Sequence, residues 1–339
     1  MKMTEFFLQS ERLGFRCWSK KDTPLAEKLW GDPLITRLFS KRPLTDAEVQ
    51  QRLDREILQQ KECGLQYWPI FNLSENCFVG CCGLRPYGND EQIAEIGFHL
   101  TSQQWGKGFA TEAGRAVIDY AFGKLQKQAL FAGHHPDNKA SRNTLLKLGF
   151  IGTTAQFYEP TGLNHPSYLL YRDQQEYRMK RAQPLDAAAI AAVHFASIEK
   201  TFSQSIPEYV NSRTLDDFER LWQDRLDEPD CATCVLTTGE QIVGFVSAGK
   251  SRDPDAENSC GSVDRIYLHP SVWEKRLGSR LLQWCEEELI DQNYKQVTLW
   301  VFEPNARAIR FYERNGFRHD GRTKEDFNSR LLRYEKLLV

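Results

Sequence analysis

The alternation of apolar and polar residues divides the first half of the chain into short strands and amphipathic helices. Apolar residues recur at helical spacing at Val49, Leu53 and Ile57, which predicts a helix over residues 46–61. Two apolar runs, residues 68–73 and 77–84, are separated by a short polar turn and predict a pair of strands. Together these patterns indicate helices packed on a sheet.

The following segment continues this alternation. Residues 94–100 and 129–133 are predicted strands, and between them a glycine-containing loop leads into a helix with Val117 on its apolar face. A short helix over residues 139–148 and a final pair of strands complete the pattern. The sequence therefore predicts an α/β module in which helices pack on the faces of a mixed sheet.

The second half of the chain repeats the order of the first. Asn138 precedes Phe150 by 12 residues, and Asn305 precedes Phe317 by the same 12 residues. Predicted strands and a glycine-containing loop also recur in the same order. Because self-similarity of this kind marks a repeated structural unit, we predict that one module occurs twice.

The boundary between the two modules is predicted at a polar segment, residues 173–176, which follows the last strand of the first module. This assigns residues 1–173 to the first domain and residues 174–339 to the second. A length of 339 residues agrees with two domains of about 150 residues each.

The balance of charges argues against a dedicated nucleic-acid-binding protein. The chain has 44 Lys and Arg against 46 Asp and Glu, so no basic excess is available for a phosphate backbone. Its apolar runs are far shorter than the ~20 residues of a membrane span, and its first residues do not resemble a signal peptide. Nine irregularly spaced cysteines are expected to be reduced and to bind no metal. We therefore expect a cytoplasmic protein that binds neither nucleic acid nor membrane.

The loop over residues 103–108 has the layout of an anion-binding site. It joins a predicted strand to a helix, and it contains Gly106 and Gly108. The first turn of a helix leaves about four backbone N–H groups without partners, and glycines allow an anion to approach them. The spacing differs from the P-loop and from the dinucleotide-binding fingerprint. A lone Gly-x-Gly is more often a tight turn, so the surrounding motifs are needed to distinguish an anion site from a turn.

These surrounding motifs resemble the GNAT acetyltransferase superfamily. Gln103-x-x-Gly106-x-Gly108 is followed by Asn138-x-x-Ser141 and then by a Leu-Gly-Phe triplet. The phrases AEIGF, WGKGFATEA and SERL are similar to the branch that contains the ribosomal-protein N-terminal acetyltransferases. The second half, with its LWV, RFYE and GF phrases, is similar to the broader superfamily. The resemblance implies two tandem GNAT (acyl-CoA N-acyltransferase) domains, each with a mixed, mostly antiparallel sheet and flanking helices.

The resemblance also implies acetyl-coenzyme A as the cofactor. In the family, the loop N–H groups bind the pyrophosphate, and the end of a splayed strand faces the thioester. The positions implied in the first half are Phe98, His99, Leu100, Gln103, Trp105, Gly106, Lys107, Gly108, Phe109, Ala110, Asn138 and Ser141. Those implied in the second half are Ile266, Tyr267, Leu268, Lys275, Leu277, Gly278, Ser279, Asn305 and Tyr312.

The second half departs from the family pattern in its loop. Counted along the sequence, Trp273 takes the position of the family's Gln or Arg, and Arg276 takes that of the first glycine. A long side chain there either blocks the pyrophosphate or contributes a guanidinium contact to it. We therefore expect an intact cofactor loop in the first half and an altered one in the second.

Direct transfer of an acetyl group to an amine requires a base for the amine and an acid for the departing thiolate. Glu95, on the strand near the acyl position, and His165, expected in the loop before the last strand, are the candidate bases. The resemblance implies Ser141 as the acid of the first half. It implies Tyr312, seven residues after Asn305, as the acid of the second half. Each candidate has a structural alternative. Glu95 can be a structural partner for a basic residue, and His165 an incidental loop histidine. Ser141 can be a helix cap or a phosphate contact, and Tyr312 a packed ring.

The resemblance thus predicts an N-acetyltransferase that moves an acetyl group from acetyl-coenzyme A to a primary amine in a ternary complex. The acceptor stays open between a protein N-terminus and a small molecule such as an antibiotic or a polyamine, because a fold does not determine its substrate. Two alternatives remain: a non-catalytic acyl-coenzyme A-binding or interaction protein, and catalysis by the second half. The pattern does not indicate an oligomeric state.

Overall fold

The chain folds as two units, residues 1–173 and 174–339, in a computed structural model that describes residues 6–338. Each unit contains one sheet with helices on both of its faces. Among the described residues, no helix is both long enough and apolar enough to cross a lipid bilayer.

The first unit contains an eight-stranded sheet in the spatial order β1-β2-β3-β4-β5-β6-β8-β7. Its strands are β1 (Leu8–Gln9), β2 (Leu13–Phe15), β3 (Tyr67–Asn72), β4 (Cys77–Pro86), β5 (Ile93–Leu100), β6 (Ala129–Gly133), β7 (Ile151–Tyr158) and β8 (Leu163–Tyr171). Its helices are α1 (Thr23–Trp30), α2 (Pro33–Thr36), α3 (Asp46–Cys63), α4 (Phe109–Gly123) and α5 (Lys139–Lys147). Strands β5 and β6 run parallel, whereas the other paired neighbours are antiparallel.

Each face of this sheet carries its own core. Ile96 and Val117 belong to the core between the sheet and α4 and α5. Trp30 and Leu53 belong to the core between the opposite face and α1 to α3. Because successive side chains of a strand point to opposite faces, β5 gives Ile96 to the first core and turns His99 toward Trp30 on the other face.

Strands β5 and β6 stay paired over three residues and then separate. Ile93, Ala94 and Glu95 lie opposite residues 129–131 of β6, and residues 96–100 continue without a partner in that strand. The gap leaves one edge of the β5 backbone unpaired just before the chain enters the loop to α4.

The second unit contains a seven-stranded sheet in the spatial order β14-β15-β13-β12-β11-β10-β9. Its strands are β9 (Tyr177–Arg181), β10 (Cys231–Thr238), β11 (Gln241–Lys250), β12 (Cys260–Leu268), β13 (Gln296–Phe302), β14 (Arg318–Asp326) and β15 (Ser329–Leu337). Its helices are α6 (Ala187–Phe202), α7 (Pro207–Asn211), α8 (Leu215–Leu226), α9 (Leu277–Asp291) and α10 (Ala306–Arg314). The parallel pair β12 and β13 again spans three residues, so residues 263–268 lie beyond it.

The predicted elements of the first half are confirmed with small changes of bounds. The helix predicted over residues 46–61 is α3, and the strand predicted over residues 129–133 is β6. One placement is wrong: His165 lies within β8, opposite Gln156 of β7, and not in the loop before the last strand. The strand begins at Leu163 because its pairing with β7 extends past the apolar run that marked it in the sequence.

Candidate active site

The loop of the first unit presents a row of backbone N–H groups at the start of α4. Gly106 and Gly108 adopt left-handed φ angles of 76° and 81°, which glycine tolerates without steric penalty. A Cβ atom at Gly106 would meet nothing within 4 Å, so the loop borders open space. Within residues 6–338, no acceptor is found for the N–H groups of residues 106–111.

Side chains behind this loop hold it at the end of β5. Trp105 Nε1 donates a hydrogen bond of 2.9 Å to the carbonyl of Leu100. Arg12 donates to the carbonyl of Lys107 at 3.3 Å and forms an ion pair of 2.7 Å with Glu112 in the first turn of α4. The loop backbone is therefore tied both to β5 and to the helix that follows.

These features fit the pyrophosphate of acetyl-coenzyme A. The helix N-terminus favours an anion, and the six consecutive N–H groups can donate to its oxygen atoms. Gln103 and Lys107 are exposed beside the loop, and their side chains can add polar and charged contacts. In contrast, a loop closed by its own hydrogen bonds would offer no such donors.

The second unit has the same loop backbone with different residues. Trp273 Nε1 donates to the carbonyl of Leu268 at 2.7 Å, as Trp105 does at the end of β5. Counted from these two tryptophans, Glu274 and Arg276 take the positions of the two glycines, and their φ angles are 68° and 58°. The sequence alignment that placed Trp273 at the Gln position and Arg276 at the first glycine is therefore wrong by two residues.

Gly278 does not belong to the loop. It lies in the first turn of α9, where a Cβ atom would sit 3.1 Å from the ring of Phe311 in α10. Its small size therefore serves close packing of the two helices. The N–H groups of Leu277, Gly278 and Ser279 still begin a helix, but the two preceding glycine positions carry side chains.

Two basic side chains of the second loop region contact neighbours within the unit. Lys275 Nζ donates to the hydroxyl of Tyr177 at 2.8 Å and lies 3.6 Å from the carboxylate of Glu176. The Arg307 guanidinium stacks 3.5 Å from the ring centroid of Trp273. The loop thus presents an exposed acidic residue at the position of Gly106 in the first unit, with its basic neighbours engaged.

The helices α5 and α10 begin at equivalent asparagines. Asn138 Oδ1 accepts the N–H of Ser141 at 3.0 Å, and Asn305 Oδ1 accepts the N–H of Ala308 at 3.1 Å. The cap is thus Asn138, so the alternative of Ser141 as a helix cap is wrong. The Ser141 hydroxyl has no hydrogen-bond partner in the described part of the chain, which leaves it available to donate a proton.

Tyr312 is buried in α10 between two other rings. The ring centroids of Phe311 and Phe317 lie 5.2 Å and 6.0 Å away. Burial raises the pKa of the Tyr312 phenol, so it stays protonated at neutral pH. The corresponding residue of the first unit is the buried Leu145, which has no proton to give. The geometry of Tyr312 agrees with both a packed ring and a proton donor.

Glu95 lies where β5 and β6 separate. Its carboxylate accepts a hydrogen bond of 2.7 Å from the hydroxyl of Tyr67. Arg85 is its cross-strand neighbour in β4, but no ion pair to Glu95 is found among residues 6–338. Its charge still acts on Arg85, since Glu95 is among the groups that raise the pKa of Arg85, after Tyr67 and Glu56. The alternative of a structural partner for a basic residue therefore stays open.

His165 belongs to a group of three histidines that sequence reasoning missed. The ring of His135 lies 5.7 Å from that of His165, and His134 Nε2 lies 3.2 Å from the hydroxyl of Tyr168. His165 Nε2 itself lies 2.8 Å from Oγ1 of Thr161. Burial lowers the pKa of His134 and His165, which favours their neutral form. No hydrogen bond within the described range joins His165 to the other candidate base on β5.

A buried polar cluster lies between β5 and α3, and it too was missed. Glu56 of α3 forms an ion pair with Arg85, and its second oxygen accepts the backbone N–H of Tyr67 at 2.8 Å. His99 Nδ1 accepts from Trp30 Nε1 at 3.3 Å. Burial, together with nearby arginine charges, holds the pKa of His99 well below its usual value, so its ring is neutral. Glu56 is a charged residue on the apolar face of α3, and this break in the pattern is the signal that could have revealed the cluster.

Comparison with known proteins identifies the family. The profile of the acetyltransferase (GNAT) domain matches residues 12–151, and the profile of the acetyltransferase (GNAT) family matches residues 196–317. The uncharacterized N-acetyltransferase p20 of Bacillus licheniformis is 31% identical over 144 residues, which are 42% of this chain and 81% of that protein. The chain therefore belongs to the GNAT acetyltransferase family, whose members use acetyl-coenzyme A.

Two further similarities cover part of the chain. A spermine/spermidine N(1)-acetyltransferase of Bacillus subtilis is 34% identical over 101 residues, which are 29% of this chain and 62% of that protein. A GNAT acetyltransferase structure from Bacillus anthracis, 21% identical, has a TM-score of 0.44 and covers 50% of this chain and 99% of that one. The predicted fold, two GNAT domains of mixed sheets with flanking helices, is confirmed, as is the predicted class, an acetyl-coenzyme A-dependent N-acetyltransferase.

Proposed function

We propose that the first unit binds acetyl-coenzyme A at the loop that begins α4 and transfers its acetyl group directly to a primary amine. The observation that carries this proposal is the open glycine loop, with the N–H groups of residues 106–111 lacking acceptors among the described residues. The second unit presents Glu274 at the corresponding place. A carboxylate there opposes a pyrophosphate, and this difference supports the first unit as the active one.

Different residues of the first unit would stabilise the oxyanion, accept the proton of the amine and protonate the thiolate. When bound, acetyl-coenzyme A supplies the activated acetyl group. The unpaired backbone of β5, residues 96–100, offers N–H groups that can stabilise an oxyanion. Glu95 and His165 are the candidates to accept the proton of the amine, and the Ser141 hydroxyl is the candidate to return a proton to the thiolate.

The acceptor in this proposal is a protein N-terminus or a small amine, and the reaction takes place in the cytoplasm. The motifs similar to the ribosomal-protein branch support a protein N-terminus, whereas the spermine/spermidine acetyltransferase among the relatives supports a small amine. A second candidate function, catalysis by the second unit, is supported by Tyr312, whose buried phenol keeps its proton at neutral pH.

Titration calorimetry of the full chain with coenzyme A tests the proposed site. The Gly106→Glu variant copies the residue of the second loop, whose backbone shows that this conformation accepts a glutamate. We expect its affinity for coenzyme A and its thiol release to fall about 100-fold, since a side chain and a negative charge fill the anion site. Glu274→Gln is the matched control and should leave both unchanged.

Two results would contradict the proposal. Unchanged affinity in Gly106→Glu would remove the cofactor from this loop. Tight binding of coenzyme A without thiol release, across a panel of protein N-terminal peptides, polyamines and aminoglycosides, would favour the non-catalytic alternative.

A further inference from the structure

Arg52 of α3 is a half-buried cation that forms no ion pair with any residue in the described part of the chain. Its guanidinium carbon lies 4.9 Å from the ring centroid of Trp30 and 4.5 Å from that of Phe39. Its Nε atom is buried and has no hydrogen-bond partner. Across residues 6–338, no ion pair to Arg52 is found. A cation held between aromatic rings in this way is positioned, but its charge is not neutralised.

The acidic residues of the neighbouring polar cluster already have partners. Both carboxylate oxygens of Glu56 are used, one by Arg85 and the other by the backbone N–H of Tyr67. The carboxylate of Glu95 accepts the hydroxyl of Tyr67. Burial and the nearby charge of Arg85 lower the pKa of Arg52, and the charge of Glu56 offsets this only in part. Because no ion pair neutralises the Arg52 guanidinium among the described residues, an anion from outside the chain can bind to it.

The aromatic rings that hold Arg52 also contact the unpaired end of β5. Trp30 Nε1 donates to Nδ1 of His99, and the ring of Phe39 lies 4.9 Å from that of His99. His99 lies on the face of β5 that α1 to α3 cover, opposite the face that packs against α4. The loop that begins α4 and the Arg52 cluster therefore lie on opposite faces of β5, so a second substrate that approaches from the face opposite α4 would meet Arg52.

We propose that Arg52 binds a carboxylate of the acceptor, so the substrate is a primary amine that carries a carboxylate in the same molecule. This inference rests on the function proposed for the first unit. The planar guanidinium matches a carboxylate with two parallel hydrogen bonds. A free amino acid and the acidic first residue of a peptide share this chemistry. A polyamine brings further positive charge toward Arg52 and Arg85, which repel it.

Matched acceptors test this proposal with the full chain. Thiol release from acetyl-coenzyme A is measured with aspartate, glutamate and methionine, with their α-amides, with Asp-Ala amide and Asn-Ala amide, and with spermidine. In Arg52→Gln we expect kcat/KM for carboxylate-bearing acceptors to fall about 10- to 100-fold. The values for methionine amide, Asn-Ala amide and acetyl-coenzyme A should stay within about threefold. The free acids and the peptides distinguish the two sources of the carboxylate.

Two further variants separate recognition from folding. Arg52→Lys keeps the charge and should recover part of the preference for carboxylates. Arg55→Gln removes an exposed charge from the same helix and should change nothing. Thermal unfolding of each variant checks that the first unit is folded.

The proposal is overturned if Arg52→Gln reduces kcat/KM equally for acids and amides, or if the wild type prefers spermidine to every carboxylate-bearing acceptor. A binding measurement makes the outcome independent of turnover. Calorimetric titration of the coenzyme A-loaded chain with glutamate should show weaker binding in Arg52→Gln than in the wild type, and equal affinity would also overturn the proposal. Absence of thiol release with every acceptor, despite this difference in binding, would instead contradict the proposed transfer reaction.

Discussion

The loops that precede α4 and α9 have the same backbone conformation but carry different side chains. Gly106 and Gly108 in the first unit correspond to Glu274 and Arg276 in the second, and all four residues adopt left-handed φ angles. This conformation costs a non-glycine residue roughly 1–2 kcal/mol. The second unit therefore retains the turn at some expense of stability. The turn is thus kept in both units, whereas glycines stand in it only where the first unit's loop borders open space.

The two units also bury an ion pair between a helix and the sheet, with opposite polarity. In the first unit the helix supplies Glu56 and strand β4 supplies Arg85. In the second unit the helix supplies Arg225 and strand β12 supplies Asp264. The two sheet partners are not equivalent, because β12, like β5, leads into the loop, whereas β4 precedes β5. What the two units share is an ion pair that joins a helix to the sheet. Arg52 has no such partner in the described chain, and this distinguishes it from the structural charges.

The largest expected effect comes from removing the proposed acid of one unit. Ser141→Ala should reduce kcat about 100-fold, because the departing thiolate loses its proton donor. Tyr312→Phe, which keeps the ring between Phe311 and Phe317, should leave kcat unchanged. Steady-state thiol release with saturating acetyl-coenzyme A measures both. The opposite pattern would make the second unit the catalytic one.

Restoring the glycines of the second loop sharpens the comparison. The double variant Glu274→Gly and Arg276→Gly should bind a second coenzyme A per chain, because the N–H groups at the start of α9 become accessible. Relief of strain and the greater freedom of glycine nearly cancel, so the free energy of unfolding should change by less than about 1 kcal/mol. Calorimetric stoichiometry and urea unfolding measure the two effects. A stoichiometry that stays at one would show that more than the two side chains separates the loops.

The smallest effect concerns the pH dependence of the first unit. Burial lowers the pKa of His165, so its neutral, proton-accepting form persists to lower pH than for a solvent-exposed histidine. If His165 is the base, the acidic limb of the kcat/KM profile lies below about 6.5, the ordinary histidine pKa. His165→Gln should remove that limb. A limb that survives the substitution and disappears in Glu95→Gln would assign the base to Glu95.

Patterns of apolar residues were sufficient for the elements but not for the second loop. The spacing of Val49 and Leu53 predicted α3, and an apolar run predicted β6 with its observed bounds. The predicted register of the second loop is wrong because Gly278 lies in the first turn of α9 and not in the loop. A glycine in a sequence does not reveal what approaches it, and here it is the ring of Phe311.

Polar residues of the site were harder to predict than apolar ones. Arg52 and His134 carry no local pattern that separates them from solvated residues, and their surroundings come from tertiary packing. His165 was placed outside a strand because neighbouring polar residues interrupt the alternation that marks one. In each case the position depends on contacts that are distant along the chain.

The short pairing between β5 and β6 divides the first sheet into two parts, β1 to β5 and β6 to β8, joined by residues 93–95 and their partners. A ligand that lies in the gap beyond Glu95 takes the place of the missing strand for residues 96–100. Such a ligand connects strands β1 to β5 with strands β6 to β8, as hydrogen bonds between β5 and β6 do at residues 93–95. Amide hydrogen exchange along the end of β5 therefore becomes a direct measure of occupancy, slow when the gap is filled and fast when solvent reaches it.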